Sequence, residues 1–140
     1  MGWTQRDIDA LSQAGGFPSR KNPPEVKHRV PKQMNKTEAR YAQHLTLQQR
    51  IGEVAWFAFE DITLRIGKDC RYTPDFAVAY PGGNGRITFH EVKGRRKGNK
   101  PFYHDDARVK IAAAAKQYFP LFAFKMVWEV SMGQWESEDF

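Results

Sequence analysis

Asp75, Glu91 and Lys93 are the residues whose types and spacing suit chemistry. Asp75 follows Pro74 and opens an apolar run over residues 76–80, while Glu91 and Val92 close a second run that starts at Arg86. Both runs read as short strands, and Pro81-Gly82-Gly83-Asn84-Gly85 between them reads as a hairpin turn. Side chains alternate faces along a strand, so Glu91 and Lys93 emerge together while Val92 points the opposite way. Pro74 restricts how the chain enters the partner strand, and the hairpin brings Asp75 beside Glu91. Two converging carboxylates repel unless a cation lies between them, and a hard divalent cation bound by oxygen ligands is the usual solution. An amine beside such a pair can orient or deprotonate a water, or offset charge in a transition state. Together these groups suit activation of a water by a bound metal.

Pro-Asp followed by Glu-x-Lys resembles the signature of the PD-(D/E)xK nuclease superfamily, a group of metal-dependent phosphodiesterases. Tyr72-Thr73-Pro74-Asp75-Phe76 and Glu91-Val92-Lys93-Gly94 are most similar to the motifs of small phage endonuclease-like proteins and, more distantly, of Holliday-junction resolvases. The resemblance spans residues 35–130. It implies an α/β, restriction-endonuclease-like αβββαβ core, with a mixed central sheet flanked by helices. It also implies Mg²⁺ or Mn²⁺ held by Asp75, Glu91 and the main-chain carbonyl of Val92, with Lys93 as the catalytic amine. An acidic residue on the first core helix, here Glu38, is implied to complete the metal shell. The implied substrate is double-stranded or branched DNA, cut to leave 5′-phosphates during phage recombination, replication or repair. A resolvase that cuts two strands symmetrically is expected to be a homodimer.

The elements that position these residues follow from periodicity. Asn35 reads as an N-cap with Glu38 in the capping-box position, and the helix it starts runs to about Ile51, where Gly52 ends it. Tyr41 and Leu45 mark its inward stripe, which Glu38 shares. Glu38 therefore has two readings, capping box or metal shell, and the resemblance favours the second. Residues 54–59 and 62–66 are rich in aromatic and β-branched side chains and predict one long or bent strand, or a pair. Gly67-Lys68-Asp69 turns the chain, and the two strands of the hairpin follow. Asp105 reads as the cap of a helix over residues 106–118 with Ile111, Ala114, Ala115 and Tyr118 packed inward. Lys110 and Gln117 share another stripe of that helix, where the resemblance places an auxiliary polar residue. His104 beside Asp105 and Asp106 reads as a cap with a dipole-complementing neighbour sooner than as a second metal site. His28, His44 and His90 lack ligand spacing, and His90 faces away from Glu91. Residues 122–130 read as the last strand, giving the order helix, three strands, helix, strand.

The 140 residues fit one core domain over residues 35–130, and the net charge of +6 favours a polyanionic partner. Arg95, Arg96, Lys97 and Lys100 leave directly from the Glu91 strand, and with Lys110 they make a candidate DNA grip; a solvated loop is the ordinary reading of such a run. Residues 1–34 read as a short helix carrying Ile8 and Leu11, then a basic, proline-rich arm. Residues 131–140 read as an acidic C-terminal tail, solvated by its composition. The sharper reading of that tail is a tether, similar to the Phe-ended tails of single-strand-binding proteins, for a phage replication protein. The lone Cys70 excludes an internal disulfide and suits a reducing cytoplasm, and no apolar run reaches membrane-spanning length. A second function class fits the same residues: a non-catalytic DNA-binding or interaction module on the same fold. Competent residues at all four motif positions argue against it.

Overall fold

The computed structural model describes residue 6, residues 32–95, residue 98, residues 101–102 and residues 105–140. The chain divides into two units, Met1–Pro31 and Lys32–Phe140. The N-terminal helix, apart from a helical Arg6, and the arm before Lys32 lie outside the described residues, as do Arg96, Lys97 and Lys100.

Asn35 starts the first helix of the second unit, α1 (Lys36–Arg50), by accepting the backbone N–H groups of Thr37 and Glu38, both at 2.9 Å. These are donors that the first turn of a helix otherwise leaves unpaired. Tyr41 and Leu45 form the buried face of α1 as the spacing predicts. The next strands are β1 (Trp56–Phe59), β2 (Leu64–Arg65), β3 (Arg71–Tyr72), β4 (Phe76–Ala79) and β5 (Ile87–Arg95). A hairpin joins β4 to β5 with Phe76 opposite His90, and its turn uses left-handed backbone at Gly82, Asn84 and Gly85. Then come β6 (Pro101–Phe102), α2 (Asp105–Tyr118), β7 (Ala123–Ser131) and β8 (Gln134–Asp139).

The fold is α/β, with a mixed sheet in the order β1-β4-β5-β7-β8. The pairs are antiparallel except β5 with β7, which run parallel and are connected through α2. Alternation divides the core between the two faces. Phe76, Val78, Val92 and Val127 pack with Tyr41 and Leu45 of α1, while Ala77, Phe89, Phe124 and Met126 pack with Ile111 and Ala114 of α2. Phe76, Phe89 and Phe124 are fully buried, and burial of such a ring is worth about 2–3 kcal/mol over exposure. Glu91 and Lys93 share the alternation of Phe89, so they stand on the α2 face.

Six strands lie between the helices where periodicity predicts three. β2 and β3 form a separate two-stranded ribbon with Leu64 opposite Tyr72, and β6 adds two residues to the end of β5. Two-residue strands are too short to carry a period. His90, on the α1 face, sits between two phenols: Tyr41 Oη is 2.7 Å from Nδ1 and Tyr80 Oη 3.3 Å from Nε2. Burial, helped by the positive Lys125 and by His44, pushes its pKa down to about 3, so the ring is a neutral structural link.

The expected acidic tail is instead an edge strand. β8 pairs with β7 from Lys125 opposite Asp139 to Ser131 opposite Gln134. Trp135 packs edge-on to Tyr41 with ring centroids 4.7 Å apart, and Arg108 grips both oxygens of Glu138 at 2.9 and 2.6 Å. The acids misled the composition reading because edge strands use charge to deter pairing with other chains. Deleting residues 134–140 is therefore expected to lower stability by about 3 kcal/mol or more, since a packed Trp and a strand are lost. Urea unfolding checks this, and a wild-type midpoint would mean that the strand is only a tether. Among the described residues, no helix is long and apolar enough to cross a membrane.

Candidate active site

The β4–β5 hairpin brings Asp75 and Glu91 to the same end of the sheet. Asp75 is anchored twice. Its carbonyl accepts the Glu60 N–H at 2.8 Å, continuing the β1–β4 pairing, and its Oδ2 accepts the Val92 N–H at 2.7 Å. The carboxylate thus takes a β5 donor just beyond the last β4–β5 pair. The N–H and C=O of one strand residue leave by the same edge, so the Val92 carbonyl also opens toward Asp75.

Glu91 is buried, and both of its oxygens are held. Lys93 Nζ donates to Oε1 at 2.6 Å and Tyr72 Oη donates to Oε2 at 2.8 Å. The short β2–β3 ribbon positions Tyr72, whose phenol pKa is raised by burial and by the charge of Glu91, keeping it a donor. Tyr72 is the site residue to which the sequence reading gave no role; its place in Tyr72-Thr73-Pro74-Asp75-Phe76, three residues before Asp75, was the available signal.

Two carboxylates face one ammonium here. Asp75 shows the consequence: burial first, then the charge of Glu91, pushes its pKa up to about 7, although the Val92 N–H and Lys93 oppose the rise. A half-buried acid pair this short of positive charge favours an added cation. Two carboxylates are also the usual protein share of a Mg²⁺ site, water and substrate phosphate completing the octahedron. Asp75, Glu91 and the Val92 carbonyl therefore fit a hard divalent ion.

The structure places Glu38 in the capping box. Its Oε2 accepts the Asn35 N–H at 2.8 Å and its Oε1 accepts Asn35 Nδ2 at 2.6 Å, so both oxygens are engaged in the cap. Its charge still adds to the raised pKa of Asp75, yet among the described residues no three of His, Cys, Asp or Glu form a metal-holding group. Glu38→Gln is expected to cost about 0.5–1 kcal/mol, because one acceptor becomes a donor facing Asn35. Cleavage is expected to stay within a few-fold of wild type. Melting unchanged and cleavage lowered by orders of magnitude would return Glu38 to the metal shell.

Of the proposed DNA contacts, Arg95 donates to the Val130 carbonyl and Lys110 pairs with Asp106 at 2.9 Å. Lys110 also lies within electrostatic reach of Glu91, whereas Gln117 reaches the Arg65 carbonyl at 3.1 Å, away from the acid pair. The strands β5 and β6 tie down both ends of the basic loop. No family model, curated protein or solved structure matches this chain.

Proposed function

We propose that this protein is a metal-dependent endonuclease on a restriction-endonuclease-like core, hydrolysing DNA phosphodiesters at Asp75, Glu91 and Lys93. The observation that carries the reading is the Asp75–Glu91 pair, Glu91 buried and Asp75 half-buried, with Lys93 as its close cation. The element order supports it: α1, then β1, β4 and β5 as the main strands, then α2 and a parallel β7.

Asp75, Glu91 and the Val92 carbonyl would hold Mg²⁺ or Mn²⁺. When bound, the ion polarises the phosphate and lowers the pKa of a water. Lys93, on the same face as Glu91, orients that water or offsets the charge that grows on the phosphate. Tyr72 restrains Glu91 through Oε2, so Glu91 keeps its orientation when Lys93 turns toward substrate. Asp75 must give up its proton before it binds a cation, so metal affinity rises with pH up to about 7.

Branched DNA is the preferred substrate and a homodimer the preferred state, both on the resemblance to resolvases. Incubation with linear duplex, flap and four-way junction DNA in Mg²⁺, Mn²⁺ or EDTA tests the reading. Metal-dependent cutting, strongest on the junction, is the expected result. Binding without cutting of any substrate would instead support a non-catalytic DNA-binding module.

A further inference from the structure

The sheet has a second feature at the catalytic end. Because β5 and β7 are parallel, both finish where Lys93 stands and where β4 begins after Asp75. Beyond them is a cavity of about 410 Å³, lined among others by Thr37 and Arg40 of α1, Gly94 and Arg95 of β5, and Glu129 of β7. Gly94 directly follows Lys93 and alternates to the other face.

The polar groups of this cavity are mostly donors. Arg40 Nε donates to Glu129 Oε2 at 2.7 Å, and Glu129 Oε1 accepts the Gly133 N–H at 3.1 Å. Glu129 is thereby satisfied, and it holds the Arg40 guanidinium by one edge. Among the described residues the Nη groups of Arg40 and the hydroxyl of Thr37 have no hydrogen-bond partner, and Arg95 uses only Nη1, on the Val130 carbonyl. Two guanidinium forks and a hydroxyl, against one carboxylate already paired, suit a planar or tetrahedral oxyanion.

Gly94 adds an independent observation. Its φ is not in the left-handed region, and a Cβ built on it meets nothing within 4 Å. Neither backbone nor packing requires glycine there. What the missing side chain provides is an open wall to the cavity, one residue from Lys93.

The geometry points to a phosphate of a nucleic-acid strand, with its sugar, seated in this cavity next to the phosphodiester presented to Lys93. The choice of nucleic acid as the source of the phosphate rests on the nuclease reading; the oxyanion chemistry does not. A strand draped over the end of β5 engages Lys93 on one face and Arg40, Arg95 and Thr37 on the other. The volume exceeds that of a phosphate alone and matches the lower range of pockets for small organic ligands.

Fluorescence anisotropy in EDTA reads binding without cleavage, using labelled single-stranded and duplex oligonucleotides with a 5′-phosphate or a 5′-hydroxyl. Gly94→Val fills the cavity at a position with room for a Cβ, and Arg40→Gln removes the charge. Each is expected to weaken binding by roughly tenfold with a wild-type melting curve, the loss of one charged hydrogen-bonding contact. Because each variant loses the seated phosphate, both are also expected to lower the slope of log affinity against log salt by about one. Thr37→Val provides a third variant should Arg40→Gln disturb Glu129. A loss confined to 5′-phosphorylated oligonucleotides assigns the cavity to a strand end, and an equal loss on all of them assigns it to an internal phosphate. Wild-type affinity in folded Gly94→Val and Arg40→Gln overturns the cavity and leaves the nuclease reading intact. Weakened binding in the variants, with no cutting by wild type in Mg²⁺, overturns the nuclease reading and leaves the cavity.

Discussion

Asp75→Asn is expected to abolish Mg²⁺-dependent cleavage and, at pH 8, to raise the melting temperature. The activity loss follows from the carboxylate's role: the amide cannot supply the charge that holds a divalent ion, and losing several kcal/mol of that help costs roughly a thousandfold or more in rate. The stability gain follows from burial. An aspartate with an ordinary value of 3.8 that is pushed up to about 7 is easier to ionise in the unfolded chain than in the folded one. Below pH 3.8 it is protonated in both states and carries no penalty. As pH rises from there through about 7 the unfolded state loses its proton first, stability falls, and above 7 the loss is complete. That interval sets a ceiling of roughly 4 kcal/mol, reduced because the Asn carbonyl accepts the Val92 N–H less strongly than a carboxylate does. Net stabilisation of about 1–2 kcal/mol, or several degrees, is expected at pH 8 and none at pH 3.5. His90 titrates with the opposite sign, stability falling as pH drops from 6.5 toward 3, but it is common to both proteins and cancels in the difference. Melting curves from pH 3.5 to 8 make the test. A variant less stable than wild type at pH 8 would mean that Asp75 is a structural anchor and not a strained functional acid.

Lys93→Ala is expected to separate metal binding from turnover. The ammonium sits on Glu91 Oε1 and lowers the pKa of Asp75, so its removal leaves the acid pair without its close cation. At pH 8 calorimetry is expected to show Mn²⁺ binding several-fold tighter than wild type. Cleavage is expected to fall at least about a hundredfold, the usual effect of deleting one charge-stabilising group. Weaker metal binding together with retained cleavage would remove Lys93 from the chemistry.

Much of this arrangement is legible in the sequence because strong local signals agree with tertiary contacts. The Asn35 cap, the Tyr41 and Leu45 stripe, the glycine-rich turn at residues 81–85 and the inward Ile111 and Ala114 each lie where spacing predicts. The alternation of Phe89, Glu91 and Lys93 places the acid and the amine together without further information. What escaped the reading depends on contacts that no local pattern encodes. Tyr72 reaches Glu91 only because a two-residue ribbon folds beside the hairpin. β8 reads as tail because its acids outweigh Trp135, whose value comes from Tyr41 in α1. Glu38 shares the inward stripe, but its two oxygens are taken by Asn35 three residues away, and stripe position alone does not distinguish a cap from a ligand.

Metal-dependent phosphodiester hydrolysis is the work proposed for the Asp75–Glu91 pair. Single-turnover cleavage of junction DNA by wild type and by Glu91→Gln, in Mg²⁺ and in EDTA, tests it most directly. Gln keeps the shape of Glu91 and an acceptor for Tyr72 but removes the charge. The expected result is cutting by wild type in Mg²⁺ alone, with Glu91→Gln folded and inactive. Cleavage by Glu91→Gln at the wild-type rate, or by either protein in EDTA, would contradict the account.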